Sequence, residues 1–359
     1  MQWTRDERLV VPNPDDPNTE LLSGKELAFE SDVRYETDRL VVTEMAYSFA
    51  GHRFAMKRDE HDTGYQLDTD YGLVRSPGRP WPLQGPLKCY GFPDQIKTRF
   101  QNAEFLSDLQ LAFEEFFTHL YYLGPLREYP KRDYAWTGTE PADVGLRGER
   151  VVHALLAAEK RGDRIGARRG SKTLVQCIAY WLKELGLIHD FSLDPIARDS
   201  NYYRVRVQKS PTSAKVLITD VGFGVSQILP VLVLCYYVPV GSTILLEQPE
   251  IHLHPSAQAA LADVFIDAIK KRHVQIILES HSEHLLRRLQ RRVAEQKLAP
   301  EDIALYFCDM QDGKSKLNPL RMDLFGNVEN WPKDFFGDQF GEIFAATKAA
   351  RKRKAAEVR

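Results

Sequence analysis

Two apolar stretches of this chain end abruptly in side chains suited to phosphate or metal chemistry. Residues 243–247, Thr-Ile-Leu-Leu-Glu, run into Gln248-Pro-Glu250-Ile-His252-Leu-His254. Residues 274–278, Val-Gln-Ile-Ile-Leu, run into Glu279-Ser-His281-Ser-Glu283-His284. An acid at the carboxyl end of a rigid strand can reach a hydrated divalent cation and its waters. A histidine beside it can hydrogen-bond to a phosphoryl oxygen as negative charge builds there. Between the two stretches, Leu261, Val264, Phe265 and Ala268 recur at helical spacing. Strand, helix and strand make a βαβ unit, whose right-handed crossover brings both strand ends to one crevice. Glu247, Gln248, Glu250 and His281 are therefore expected to share a site.

A glycine-rich loop precedes them. Asp220-Val-Gly222-Phe-Gly224-Val-Ser226-Gln227 follows a strand and leads into the apolar helical run Ile228 to Leu234. Glycine lets backbone amides approach an anion closely, and the first turn of the following helix points its own amides the same way.

The elements that must position these groups are legible in outline. Leu40–Met45 and His52–Lys57 look like antiparallel strands joined by a tight turn. Residues 72–99, rich in Gly and Pro and without periodicity, look like a surface connection. A helix follows with Phe105, Leu109, Phe113, Phe116 and Phe117 expected on its buried side. Tyr121–Arg127 looks like a strand entering a polar loop. Gly145–Glu149 opens a helix through Val151, Val152, Leu155 and Leu156, and another helix covers Lys172 to Leu185. Tyr203–Val207 and Ala214–Thr219 look like paired strands returning to the core. There is no internal repeat and no long low-complexity segment.

The 359 residues are 43% hydrophobic, enough for two or three compact units rather than a disordered or fibrous chain. Lys plus Arg total 48 against 50 Asp plus Glu, so net charge gives no global bias toward nucleic acid or anionic membrane. The basic stretch Arg161 to Lys172, with Arg164, Arg168 and Arg169, and the tail Ala345–Arg359, with Lys348, Arg351, Lys352, Arg353 and Lys354, are read as solvated surface in preference to nucleic-acid contacts. Cys89, Cys177, Cys235 and Cys308 show no paired spacing, which fits buried thiols in a reducing, cytoplasmic compartment. The longest apolar run, Ile228 to Val240, contains Pro230 and Pro239 and is shorter than the ~20 residues that span a bilayer. No apolar signal core follows Met1.

The order of glycine-serine loop, helix, Ile244-Leu-Leu-Glu-Gln-Pro-Glu-Ile-His-Leu-His-Pro255, helix, and Ile276-Ile-Leu-Glu-Ser-His-Ser-Glu-His284 resembles the carboxyl half of an ATPase of the ABC/SMC superfamily. More narrowly it resembles the OLD-like AAA ATPases of bacteria, whose C-terminal domain of unknown function includes a segment like Gly326-Asn-Val-Glu-Asn-Trp-Pro-Lys-Asp-Phe-Phe336. The resemblance runs from about Tyr121 to Phe340. It implies an α/β fold, a P-loop NTPase-like three-layer core with an antiparallel β region and an inserted helical arm. The implied boundaries are a partial antiparallel β lobe over 1–100, the arm over 101–200, the ATPase core over 201–312 and a C-terminal extension over 313–359. ATP and Mg2+ are the implied cofactors.

Carried onto this chain, Gly222 to Gln227 would be the signature loop, contacting nucleotide held mainly by the opposite subunit. Glu247 takes the Walker B position and would hold Mg2+ through water. Gln248 occupies the place of the catalytic glutamate, with Glu250 as a substitute base. His252 and His254 correspond to the loop that crosses the dimer interface, and His281 to the switch histidine. The implied assembly is a homodimer with composite sites, linked to an effector protein or DNA in DNA transactions or phage defence.

Two departures matter. No Gly-x-x-x-x-Gly-Lys-Ser/Thr occurs in the sequence. Ser23-Gly-Lys-Glu26 lacks the leading glycine and the hydroxyl, and Gly166-Ala-Arg-Arg-Gly-Ser-Lys-Thr173 has the wrong spacing. Such a chain is expected to begin inside the nucleotide-binding lobe and to bind ATP poorly alone. Gln248 cannot accept a proton, so slow turnover or a switch role is expected unless Glu250 compensates. Two other readings stand beside the ATPase. One is a metal-dependent hydrolase using His252, His254, His281 and His284 with Glu250 or Glu283. The other is a non-catalytic ATPase-derived scaffold for an effector.

Overall fold

The computed structural model describes residues 2–13, 16–59, 64–78, 81–166, 170–311, 313–332, 335 and 347–350. It divides into two units, Met1–Thr118 and His119–Arg359.

The first unit is built on five antiparallel strands in sequential order: β1 (Gln2–Asn13), β2 (Asp16–Glu36), β3 (Arg39–Phe49), β4 (His52–Arg58) and β5 (Tyr65–Thr69). The expected pair of strands is β3 and β4, with Met45 opposite Met56 and Tyr47 opposite Phe54. Their connection is two residues long, Ala50 and Gly51, both at positive φ, the conformation that matches the twist of flanking strands. Met45, Tyr47, Phe54 and Met56 are wholly buried on the covered face. Two helices follow, α1 (Gln95–Arg99) and α2 (Leu106–Phe117). The connection 72–99 thus closes in a short helix that buries Ile96. Phe105, Leu109 and Phe113 are buried as expected, and Phe113 packs on Phe29 with ring centroids 4.4 Å apart. Phe116 and Phe117 are not buried: they are 41% and 38% exposed. They close the last turn of α2 and pack on each other, with Phe117 also against Phe113.

The second unit begins with β6 (Leu120–Leu123), β7 (Tyr134–Ala135), α3 (Val151–Arg161), β8 (Arg164–Ile165), β9 (Lys172–Thr173) and α4 (Leu174–Glu184). Then come β10 (Asp190–Pro195), β11 (Tyr202–Gln208), β12 (Val216–Leu217), α5 (Phe223–Tyr237), β13 (Thr243–Glu247), α6 (Pro255–Arg272), β14 (Gln275–Glu279) and α7 (Glu283–Ala294). The hairpin β15 (Leu305–Gln311) and β16 (Lys314–Leu320) follows. β11 pairs with β12 as expected, but β12 is short because Ile218–Asp220 coil into a 3-10 turn ahead of α5.

A three-stranded parallel sheet, ordered β14-β13-β6, positions the polar strand ends. α5 is apolar on every side, and every residue from Ile228 to Val238 is buried, which marks a central core helix. Val152 and Leu155 of α3, Ile178 and Leu182 of α4, and Leu261, Val264, Phe265 and Ala268 of α6 join the same core. The helices expected as an arm therefore share one packed interior with the parallel sheet.

Local sequence explains where these helices start. Thr173 and Gln176 form a reciprocal capping box at α4, His254 caps α6 with Pro255 in the first helical position, and Ser282 caps α7. Cys177 and Cys235 are buried, and burial pushes each thiol up to about 12. Cys89 and Cys308 are exposed, against expectation, because Cys89 lies in a turn and Cys308 on a two-stranded hairpin. Among the described residues no helix is long and apolar enough to cross a membrane. Arg168, Arg169, Phe336, Arg351, Lys352, Arg353 and Lys354 lie outside the described residues.

Candidate functional site

Strand alternation decides which way Glu247 faces. Ile244 and Leu246 of β13 are 0% and 2% exposed and point into the helical layer, so Thr243, Leu245 and Glu247 occupy the opposite face. β13 and β14 run parallel in register, with Glu247 opposite Glu279. On the other side, Leu245 lies opposite Tyr122 of β6, whose hydroxyl donates to Glu247 Oε1 at 2.9 Å. That hydrogen bond raises the Tyr122 phenol above its ordinary range. From the loop after β6, Arg127 donates through Nη2 to the Glu247 carbonyl at 3.2 Å. Arg127 is 5% exposed, and burial pulls its guanidinium down to about 10 against the opposing influence of Tyr122 and Glu247. It remains a cation at neutral pH, with Nε and Nη1 lacking protein partners.

The chain then turns sharply. Gln248 sits at φ +44°, and its N–H donates to the Glu279 carbonyl at 3.0 Å, extending the parallel ladder one step beyond β13. Glu250 is 6% exposed, and its Oε1 accepts the backbone N–H of His281 at 2.9 Å. This carboxylate holds the two strand tips together. Its Oε2 lacks a protein partner. The His281 ring is exposed, and its Nε2 lies 3.0 Å from Glu279 Oε1.

A second tie runs behind the tips. Ser282 Oγ donates to Gln258 Oε1 at 2.7 Å and accepts from Leu285 N, while Gln258 Nε2 donates to the Leu253 carbonyl at 3.0 Å. The turn after β13 is thereby fixed to the start of α7.

The glycine loop arrives from α5. Gly222 is the helix N-cap, and Gly224 lies against the His252 carbonyl, where a Cβ would sit 3.5 Å from that oxygen. Ser226 and Gln227 point inward, at 7% and 8% exposure, and Ser226 Oγ donates to Phe223 O in its own turn. The solvent-facing members of the loop are Gly222 and Phe223. Phe223 packs against the rings of Tyr129 and His252.

Glu247, Gln248, Glu250 and His281 thus gather at the carboxyl ends of two adjacent strands, with Gly224 resting on the intervening turn. His254 does not face this group: its Nδ1 accepts from Ser256 N and bonds Ser256 Oγ, capping α6. Among the described residues no group of three or more His, Cys, Asp or Glu side chains is placed to hold a metal ion, so the histidines of the hydrolase reading do not converge. Sequence reading did not place Tyr122 or Arg127 at the site, and it named Glu279 only as part of the second polar tip. The signal for the first two was a tyrosine-rich strand ending in Gly-Pro-Leu-Arg, whose parallel pairing with β13 is invisible without the fold.

Residues 142–287 match the model of an AAA domain family, described with the AbiEii toxin of a type IV toxin–antitoxin system. The matched span includes α3, the glycine loop, both parallel strand ends and the start of α7. Over that span the chain is similar to an AAA domain. Beyond this span, residues 298–345 match a family of proteins of unknown function, DUF3696. No curated protein matches the chain. Similar solved structures include one described under ATP-driven dimerization and DNA-stimulated activation of SMC ATPases. It is 15% identical, with a TM-score of 0.32 over 41% of this chain and 83% of that one. Another is an SMC head bound to the C-winged helix domain of ScpA, 14% identical, with a TM-score of 0.33 over 42% of this chain and 43% of that one.

Proposed function

We propose that this chain supplies the acid, signature and switch elements of an ATP-binding and ATP-hydrolysing switch that works in the cytoplasm as a homodimer of the OLD-like kind. The observation that carries the proposal is the register of the parallel sheet: Glu247 opposite Glu279, with His281 tied to Glu250, gathers the polar tips at one crevice. In this reading Glu247 orders the water shell of Mg2+, and His281 meets the terminal phosphoryl group as charge builds on it. Gln248 orients water without accepting its proton. Glu250 is buried and engaged by the His281 backbone, so it acts as a brace that sets the position of His281 rather than as a freely placed base. Slow turnover follows from that division of roles. Gly222 and the first turn of α5 face the nucleotide of the partner subunit, and ATP binding gates an effector or DNA in DNA transactions or phage defence.

The test is magnesium-dependent ATP turnover by the purified chain, compared with Glu247→Ala. Low turnover that requires magnesium and falls by about 10²-fold or more in the variant supports the proposal. Equal turnover in both proteins removes it. A second reading, a nucleotide-sensing scaffold without hydrolysis, is favoured by Gln248 and by the absent phosphate-loop motif. It expects magnesium-dependent nucleotide binding with no turnover in either protein.

A further inference from the structure

The first unit contains a cleft of about 480 Å3, a size that suits a small ligand or one unit of a longer one. Its walls are held by backbone bonds. Tyr65 donates its N–H to Leu83 O at 3.1 Å and Ser76 donates its N–H to Arg99 O at 2.8 Å, so the start of β5 and the connection after it close around one opening. The wall is tight at Gly85, where a Cβ would sit 2.8 Å from the Tyr65 ring.

Three side chains of the lining leave strong binding groups unused. Trp81 is 76% exposed, and among the described residues its ring packs on no other aromatic side chain. Arg99 uses Nη1 to hold the Trp81 carbonyl at 3.1 Å, while its Nε is buried without a partner. Arg75 is exposed in the same lining. Among the described residues neither arginine pairs with an acid, Asp59 of this lining included. An indole face beside two guanidinium groups without counter-charges suits a flat aromatic base that carries phosphate.

We propose that this cleft binds single-stranded nucleic acid, with one base stacked on Trp81 and the flanking phosphates at Arg75 and Arg99. A base inside a duplex covers both of its faces with its neighbours, so only an unpaired base can stack on the indole. Gln66, exposed in the same lining, offers an amide that can donate to or accept from a base edge. Its contribution to sequence preference is small. The ring accepts any base and the arginines accept any phosphate, so affinity follows strand length and salt more than sequence. A chain of nearly balanced charge thus carries its nucleic-acid contact as a local patch. The cleft lies wholly within Met1–Thr118, so this inference stands apart from the nucleotide reading of Glu247 and its neighbours.

The test uses the full chain without ATP. Fluorescence anisotropy of a fluorescein-labelled oligothymidylate, repeated across a series of salt concentrations, reads both affinity and its salt slope. Trp81→Ala should weaken binding at least about fivefold, and Trp81→Phe should recover most of the loss because a phenyl ring still stacks. Arg75→Gln, at an exposed position, should weaken binding and reduce the salt slope by about 0.7. Circular dichroism checks that each variant keeps its fold. A duplex of the same length should bind at least about tenfold more weakly than the single strand. Thymidine monophosphate should compete less well than the strand and better than inorganic phosphate. No measurable binding of oligothymidylate, equal binding by Trp81→Ala, or equal binding of the duplex overturns the proposal. Thymidine monophosphate competing as well as the strand would assign the cleft to a free nucleotide, and inorganic phosphate competing as well would reduce it to an anion site. Either result overturns the strand as occupant.

Discussion

The backbone N–H of His281 donates to Glu250 Oε1 at 2.9 Å, joining the turn after one buried strand to the turn after its neighbour. The exposed imidazole of His281 therefore stands on a backbone fixed by a carboxylate that is itself 6% exposed. Removing that acceptor should leave a part-buried donor unpaired. Glu250→Ala is expected to destabilise the second unit by about 1–3 kcal/mol, and Glu250→Gln, which keeps an acceptor oxygen, by less. Urea unfolding followed by circular dichroism measures both. Equal losses in the two variants would mean that the hydrogen bond is not what matters.

Tyr122 provides a pH-dependent handle on the same site. Its phenol is raised first by the hydrogen bond it donates to Glu247, then by burial. A raised phenol favours the neutral form in the folded protein. Its contribution to stability is therefore complete below the ordinary value of 10.0 and is lost as pH climbs through the raised one. Ultraviolet titration should show a late-ionising component that is absent from Tyr122→Phe and shifted downward in Glu247→Gln. A titration unchanged by Glu247→Gln contradicts the contact.

The helices that follow β13 and β14 are clamped by Asp263. It accepts from Arg288 Nη1 at 2.6 Å and from Arg292 Nη2 at 2.7 Å, across α6 and α7. Burial pushes the Asp263 carboxyl upward, but the two arginines outweigh it and hold it below its ordinary 3.8. The stabilisation is full above that value and disappears as pH falls through the lowered one. Asp263→Asn should cost about 1–3 kcal/mol at neutral pH, and the difference from wild type should shrink as unfolding is measured at progressively lower pH. A difference that grows on acidification would refute the clamp.

Gly326 reports on the segment after the hairpin of β15 and β16. It lies at φ +80°, and a Cβ there would sit 2.2 Å from the Gln290 carbonyl of α7, while Gln290 Nε2 donates to the Gly326 carbonyl at 2.8 Å. Gly326→Ala must therefore shift backbone against backbone as well as strain φ. Limited proteolysis should cut residues 321–330 at least several-fold faster in this variant, with α3 to α6 unaffected. Unchanged protection would show that the segment does not dock on α7 as described.

What the sequence could say depended on range. Alternation and helical spacing are local, so β3, β4, α6 and α5 were readable from residues such as Met45, Phe54, Leu261 and Ile228. The site was readable as a set of strand tips because Glu247 and Glu279 each end an apolar run. Its contacts were not. Tyr122 lies 125 residues from Glu247 in sequence, and only the parallel pairing of β6 with β13 brings the two together. The resemblance placed His254 in the loop that crosses the dimer interface, yet its ring caps a helix. The resemblance made Ser226 and Gln227 nucleotide contacts of a signature loop, yet α5 begins at Phe223 and carries them inward. The exposure of Phe116 and Phe117 was hidden for the same reason: periodicity says which side of a helix is apolar, and says nothing of where the covering layer stops.

Hydrogen exchange mapped on the full chain with and without millimolar magnesium-ATP probes the nucleotide site most directly. Slower exchange at the backbone of residues 247–252 and 279–282, dependent on magnesium and absent from Glu247→Ala, is the result expected if the tips of β13 and β14 meet the phosphate. Magnesium-dependent protection confined to other parts of the chain, or protection at these residues that survives Glu247→Ala, would contradict it.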